Sequence, residues 1–375
     1  MDNPDRHSIS VGVPREVVRD EQRVALTPDT TRQLAESGLT VLVESGAGEG
    51  ASFDDESYFD AGASLESRPA AVHRQADILV KVQPPTLEEV ELIRPGALVI
   101  SFLDSRRDAE VIASLSERGV IAFSFNAVPR ITRAQSMDAM SSMSTVSGYK
   151  AVLVAANAVG RFFPLLMTAA GTVPPARVFV IGAGVAGLQA LATARRLGAV
   201  TEACDTRPAV EEQVRSVGAS FVCMTVPQDA EDKGGYAREL DEGHLRVERD
   251  AIRDSVAAAD VVIATALVPG ARAPVLIDEA MVRSMRAGSV IVDIAAESGG
   301  NCELTVAGCV TAHHGVMIIG AVNLPSTLPV HASQMYSKNA ASVIQYLVRD
   351  GVLTLNPEDE IVRSACLTGL AAVAR

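Results

Sequence analysis

Val178-Phe-Val-Ile-Gly-Ala-Gly-Val-Ala-Gly187 is an apolar run that ends in glycines at 182, 184 and 187. The run reads as a buried strand, and the glycine spacing lets the chain turn tightly and open a helix against a pyrophosphate. Leu188, Leu191, Ala192 and Arg195 continue that helix as far as Gly198, and a second apolar run, Val200 to Cys204, ends at Asp205. An acid there fits a ribose 2′-hydroxyl and would repel a 2′-phosphate, which predicts NAD(H) over NADP(H). Arg207, two positions on, belongs to a residue type that sometimes takes such a phosphate. A glycine triplet alone is often just a turn. Here strand, triplet, helix, second strand and terminal acid follow in the order a dinucleotide site requires.

The rest of the composition is consistent with that centre. A chain of 375 residues exceeds one ordinary core and predicts two domains. Hydrophobic residues make up 48% while aromatics are 4% and Trp is absent, so Ala, Val and Gly do the packing, as in α/β folds with parallel strands. A net charge of −13 with no basic cluster argues against nucleic acid or an anionic membrane surface as a direct partner. The five cysteines lack Cys-x-x-Cys pairing and the six histidines lack ligand spacing, so no disulfide framework and no metal site are predicted. The polar N-terminus does not read as a signal peptide, and no apolar run reaches membrane-spanning length. A soluble cytoplasmic chain is the expectation.

Outward from the glycine motif, apolar runs alternate with amphipathic stretches, the pattern of βα units. In the first third the strand candidates are Ile9 to Val13, Thr40 to Glu44, Asp77 to Lys81, Leu98 to Phe102 and Val120 to Ser124. The second domain supplies strands at Val178, Val200, Ser220, Val261 and Ser289, with a sixth near Met317 to Gly320. One long helix is predicted from Gln135 to Arg161, and another from Ala332 to Arg349 that crosses back to the first domain. The expected fold is α/β: two Rossmann-like, doubly wound parallel-sheet domains joined by long helices, with a cleft between. The expected division is 1–134 plus 325–375, and 135–324.

Two segments carry candidate chemistry besides the glycine loop. Pro129 to Ser142 holds Arg130, Arg133, Gln135, Asp138, Ser141 and Ser142, and a helix starting near Gln135 would put Gln135, Asp138 and Ser142 on one face. Such a cluster can hydrogen-bond a carboxamide, although Asp138 and Arg130 also suit an interdomain ion pair. Residues 226–254 are dense in charge around Gly234-Gly235-Tyr236, which reads either as a solvated loop or as a mobile lid.

Taken together, these stretches closely resemble the soluble NAD(H)-binding component of proton-translocating nicotinamide nucleotide transhydrogenases, over nearly the whole chain. The motifs that carry the resemblance are Arg23-Val-Ala-Leu-Thr-Pro28, Arg130 to Ser142, Thr168 to Arg177, Gly182 to Gln189, Asp205-Thr-Arg207, Gly234-Gly-Tyr236, Thr265 to Gly270 and Asp293 to Cys302. The resemblance implies that Arg130, Gln135, Asp138 and Ser141 surround a nicotinamide and that Tyr236 closes on it from a mobile loop. With them it implies a cofactor set of Ile131, Thr132, Ser136, Met137, Gly182, Ala183, Gly184, Val185, Ala186, Gly187, Asp205, Thr206, Arg207, Gly235, Ala266 and Leu267. It further implies a homodimer, hydride transfer from NADH to NADP(H)-site cofactor on a partner beta subunit, and attachment to the inner membrane through a membrane-spanning subunit. The competing resemblance is to alanine dehydrogenases, which share the fold and use a lysine matching Lys81, an arginine matching Arg23 and a histidine on the strand Leu98 to Phe102. Phe102 stands where that histidine is expected, and a phenyl ring moves no proton, which favours the transhydrogenase reading. A catalytically silent NAD-binding sensor is the third reading, disfavoured by the polar cluster at 130–142.

Overall fold

Runs of Val, Ile, Leu and Ala that are buried on both faces form the central strands of two separate sheets, as parallel strands covered by helices must be. The computed structural model describes residues 8–222, 242–268 and 271–369. The chain divides into two compact units, Met1–Met143 with Ser326–Arg375, and Ser144–Pro325.

In the first unit the strands are β1 (Ser10–Val13), β2 (Thr40–Glu44), β3 (Ser64–Glu66), β4 (Ile78–Val80), β5 (Leu98–Ser101) and β6 (Ile121–Ser124). They pair in the order β3-β2-β1-β4-β5-β6, and every pairing is parallel. This is the doubly wound order, with its reversal between β1 and β4. The connecting helices are α1 (Pro28–Glu36), α2 (Asp55–Asp60), α3 (Pro69–Gln75), α4 (Leu87–Leu92) and α5 (Ala109–Glu117). Sequence reading finds five of the six strands. It misses β3, whose Ser64-Leu65-Glu66 is nowhere fully buried and gives no apolar run.

Helix α6 runs from Ala139 to Ala158. It starts four residues later than the sequence suggests, because Thr132–Met137 instead form a 3-10 turn. Asp138 then ends that turn and opens the helix, accepting from the Ser141 N–H at 2.8 Å and from the Ser141 hydroxyl at 2.6 Å. Gln135, Asp138 and Ser142 therefore do not share one helical face.

After α6 come a short hairpin, β7 (Leu166–Thr168) and β8 (Gly171–Val173), and the second large sheet. That sheet comprises β9 (Arg177–Ile181), β10 (Val200–Cys204), β11 (Ser220–Val222), β12 (Val261–Ala264), β13 (Val290–Asp293), β14 (Val310–His313) and β15 (Val316–Gly320). The order is β11-β10-β9-β12-β13-β15-β14, parallel except for the edge strand β14. Between the strands lie α7 (Val185–Arg196), α8 (Glu211–Ser216), α9 (Glu242–Ala258) and α10 (Glu279–Ser284).

Helix α11 (Pro329–Leu347) returns to the first unit, with α12 (Glu360–Ala365) beyond it. Its polar residues are spent on that docking: Ser333 Oγ accepts from the Val24 N–H at 3.0 Å, and Asn339 Nδ2 donates to the Ser136 carbonyl at 2.8 Å. The Tyr336 hydroxyl donates to the Lys81 carbonyl. The helix ends before Arg349 because Asp350 and Gly351 both take positive φ, 52° and 72°, and turn the chain into a two-stranded hairpin, β16 (Val348–Arg349) with β17 (Val352–Leu353). Among the described residues, no helix is long and apolar enough to cross a membrane.

Candidate dinucleotide site and the buried charges of the first unit

Strand β9 delivers the chain into Gly182, whose φ of 87° is open to glycine at no steric cost. The Thr265 hydroxyl, just past β12, donates to the Gly182 carbonyl at 2.8 Å and pins the turn. Gly184 then precedes α7 with extended backbone and no side-chain cap. The first N–H groups of any helix lack intrahelical partners and carry the positive end of its dipole, so this end of α7 is built to accept an anion. Gly187 faces back into the turn: a Cβ there would lie 1.9 Å from the Gly182 carbonyl oxygen. Gly148 makes a similarly close approach, since its Cβ would meet the Ala186 carbonyl oxygen at 2.0 Å. It is thus a packing glycine that lets α6 touch the first turn of α7.

Asp205 follows β10 and is 8% exposed. Its Oδ2 accepts the Ala183 N–H at 2.7 Å and Arg207 Nη2 at 2.8 Å, while Oδ1 accepts the Arg207 N–H and Nε, each at 2.9 Å. The loop, the acid and Arg207 form one hydrogen-bonded unit. Thr206 beside them is half-buried, Val185 is exposed and Ala186 half-buried.

Ala266 and Leu267 sit in the loop after β12, and their placement depends on two residues to which sequence reading gives no role. Asn301, fully buried, accepts the Ala266 N–H at 2.9 Å and donates to the carbonyls of Ala266 and Pro274 at 2.8 and 2.9 Å. Asp293, also fully buried, accepts from the N–H groups of Ala295, Asn301 and Cys302 and from the Thr305 hydroxyl, at 2.7 to 3.0 Å. Burial raises the Asp293 carboxyl against the pull of these donors. Both residues lie within the Asp293 to Cys302 motif, and their partners are too far along the chain for spacing to reveal.

Glu248 on α9 is a further residue that sequence reading misses. It is 6% exposed, and burial, followed by the charge of Asp205, pushes its carboxyl up from 4.5 to about 7. A carboxyl raised on folding favours the protonated native state, so its contribution is full below pH 4.5 and is lost as pH rises to 7. Glu248→Gln should therefore be more stable than the parent at pH 8, by on the order of 3 kcal/mol, with no gain at pH 4.5. Urea melts of both proteins across pH 4.5–8 measure this. A constant difference between them would remove Glu248 as the titrating group.

The 130–142 stretch belongs to the first unit. Arg130, Thr132, Gln135 and Ser136 are exposed, and Ile131, Asp138 and Ser141 are half-buried. Met137 is 3% exposed, which leaves its backbone rather than its side chain for a ligand. Arg133 is committed elsewhere: its Nη1 donates to Asp359 at 2.6 Å and to the Tyr346 hydroxyl at 2.8 Å. Gly235 and Tyr236, with the first part of the 226–254 stretch, lie outside the described residues; its C-terminal part is helix α9. No group of three or more His, Cys, Asp or Glu suited to a metal occurs among the described residues.

Two cations of the first unit, Arg23 and Lys81, lie in a buried ion network. Arg23, 4% exposed, donates to Glu21 through Nε at 2.7 Å and Nη2 at 2.6 Å, and Gln83 Nε2 donates to the same carboxylate at 2.7 Å. Burial alone would raise Glu21, but Arg23 overrides it and brings the carboxyl to about 2. Lys81, fully buried, lies 2.7 Å from Glu89 and 3.6 Å from Glu16. Burial lowers its ammonium, and the two carboxylates more than reverse that. Phe102 packs its ring on Phe125 and Tyr336, with centroids 5.8 and 5.4 Å apart.

Two parallel-sheet α/β units, one with a glycine turn, an uncapped helix start and a buried acid after the next strand, define a dinucleotide-binding protein. Residues 12–147 match the alanine dehydrogenase/PNT N-terminal domain and residues 151–374 match its C-terminal domain, so the chain belongs to the alanine dehydrogenase/PNT family. It is 43% identical to the first part of NAD(P) transhydrogenase subunit alpha from Rhodospirillum rubrum, over 97% of each chain. Alanine dehydrogenase of Bacillus subtilis is 32% identical, over 85% of this chain and 80% of that one. The solved structure of transhydrogenase from Sinorhizobium meliloti superposes with a TM-score of 0.87 at 42% identity, covering 96% of this chain and 98% of that one. The similarity to transhydrogenase alpha subunits read from the sequence motifs is thereby shown, and nicotinamide nucleotide binding goes with the family.

Proposed function

We propose that this chain is the NAD(H)-binding part of a proton-translocating NAD(P) transhydrogenase. In this reading Gly182 to Gly187 hold the pyrophosphate and Asp205 the adenosine ribose. Arg130, Gln135, Asp138 and Ser141 fix the nicotinamide, and Tyr236 closes on it. The bound cofactor supplies a hydride, which passes directly to NADP⁺ held by the beta subunit. Such a transfer needs no proton at the reacting carbons, so orientation supplies the rate. The chain works at the cytoplasmic side of the inner membrane, peripheral to it through its partner subunits.

The observation that carries the reading is the four-donor Asp205 unit beside the Gly182–Gly187 turn. The buried network around Arg23 and Lys81 weighs against an amino-acid dehydrogenase, since both cations already have carboxylate partners. The test is to mix the chain with the complementary NADP(H)-binding component and follow NADH-dependent reduction of NADP⁺. Transfer is expected, with no turnover of pyruvate, ammonia and NADH by the chain alone. Alanine formation without hydride transfer would replace this reading by the alanine dehydrogenase one.

A homodimer is part of the proposal, and the β7–β8 hairpin supports it. From Phe162 to Ala176 the sequence carries no charge, yet Phe162, Leu165 and Met167 are 59%, 54% and 79% exposed. A two-stranded hairpin is marginal in water unless something covers it, and an apolar surface of this kind marks an interface. Met167→Asp should therefore shift the protein from dimer to monomer in sedimentation equilibrium while leaving its fold intact by circular dichroism. A dimer of unchanged strength would place the interface elsewhere.

A further inference from the structure

Three stretches of chain far apart in sequence converge on one carboxylate of the first unit. Asp359 Oδ2 accepts Arg133 Nη1 at 2.6 Å and the Tyr346 hydroxyl at 2.7 Å, and the same Arg133 nitrogen donates to that hydroxyl at 2.8 Å, which closes a ring of bonds. Asp359 Oδ1 is held by the first turn of α12, accepting the Ile361 and Val362 N–H groups at 2.9 and 3.2 Å. Burial would raise this carboxyl, but the bonds from Tyr346 and Arg133 bring it to about 2, so it stays charged. Asn339 lies about two helical turns before Tyr346 on the same face of α11, and it reaches the other end of the Thr132–Met137 turn at the Ser136 carbonyl. The turn is thus tied on both sides of Gln135, at Arg133 and at Ser136, with Ala134 and Met137 buried.

Neither tie is a good stabiliser. The Arg133 side chain is half-exposed, where an ion pair contributes little, and Asn339 is buried with an Oδ1 that finds no partner among the described residues, which costs stability. What the ties supply is a fixed backbone for an exposed Gln135. Resting on the reading that Gln135 and Asp138 fix a nicotinamide, we propose that Arg133, Asp359 and Asn339 are positioning residues for hydride transfer: they clamp the 132–137 turn onto α11 and so hold Gln135, and Asp138 at the end of the turn, in one geometry.

The test uses the chain with its NADP(H)-binding partner at saturating nucleotide, beside NADH titration and melting of the chain alone. Three variants break the clamp: Arg133→Gln, Asp359→Asn, which keeps an oxygen to cap α12, and Asn339→Leu, which nearly keeps the shape. Each should slow hydride transfer by about tenfold or more, the loss expected when a reacting group is held out of line. NADH affinity, set in this reading by the glycine loop and Asp205, should fall far less. Asn339→Leu should melt no lower than the parent, because the unpaired oxygen leaves with the amide and the carbonyl of exposed Ser136 can bond water. Arg133→Lys, whose single ammonium can donate to both Asp359 and Tyr346, should recover most of the rate. Amide exchange in the chain alone gives a readout independent of activity: the Ala134 and Asp138 N–H groups, bonded to the carbonyls of Ile131 and Gln135, should exchange faster in Arg133→Gln and Asn339→Leu while β5 stays protected. Parent-like transfer in these variants, a loss that merely follows the melting temperature, or unchanged exchange in the turn overturns the proposal. A parent that transfers no hydride refutes the transhydrogenase reading instead, and exchange then still decides whether the clamp holds the turn.

Discussion

Gly187→Ala is expected to destabilise the second unit by about 3 kcal/mol, the upper end for forcing one extra carbon into a packed interior, and to weaken NADH binding at least a hundredfold. The carbon has nowhere to go. Its nearest neighbours are the Gly182 carbonyl oxygen at 1.9 Å and carbon at 2.9 Å, and Thr265 Oγ1 at 3.4 Å. The first two are backbone atoms of the turn itself, so relief requires moving the turn away from α7. That motion breaks the Thr265 to Gly182 hydrogen bond and disturbs Ala183, whose N–H anchors Asp205. Gly184→Ala is the matched control, because its nearest atom is a movable Arg207 nitrogen at 3.9 Å and its φ is −73°. Gly184→Ala should keep the parent's melting temperature. Calorimetry and NADH titration of both variants decide the matter, and a Gly187→Ala protein as stable as Gly184→Ala would refute the account.

What the sequence makes legible is what lies close together along the chain. The glycine turn and Asp205 sit on two consecutive βα units, so their order can be read in one pass. The central strands are equally plain, because burial on both faces leaves Val178 to Ile181 and Val261 to Ala264 without polar interruption. Edge strands lose that signature: β14 carries Val310, Thr311, Ala312 and His313, none of them fully buried. The start of α6 is hidden for a different reason. Ala134, Gln135 and Met137 all favour helix, and only the local bonds between Asp138 and Ser141 fix the boundary. Glu248 and Asn301 are illegible in principle from one sequence, since the charge that Glu248 feels, Asp205, and the loop that Asn301 holds, at Ala266, each belong to another βα unit.

The same long-range logic makes Asp293 the site of the second large effect. Asp293→Ala removes one fully buried side chain and strands four donors: the buried backbone N–H groups of Ala295, Asn301 and Cys302 and the half-buried Thr305 hydroxyl. Each orphaned buried donor costs about 1–3 kcal/mol. The costs do not simply add, because the loop can relax, and about 4 kcal/mol is the expected total, in the range reserved for broken buried networks. The damage should travel. Three of the donors lie at 301–305, and Asn301 in turn holds both backbone polar groups of Ala266. Releasing residue 293 therefore loosens the loop after β12, where Ala266 and Leu267 are proposed to meet the nucleotide. Asp293→Asn separates packing from charge: its carbonyl oxygen can keep the three donors that share Oδ2, while its amide faces the Ala295 N–H with no lone pair to offer. It should fall between parent and alanine in stability. Amide exchange would show the route directly, with protection lost first at Asn301 and Cys302 and then at Ala266, and NADH affinity falling with it. If Asp293→Ala melts with the parent, or if exchange at Ala266 stays slow while Asn301 opens, the network does not support the nucleotide loop in the way its hydrogen bonds indicate.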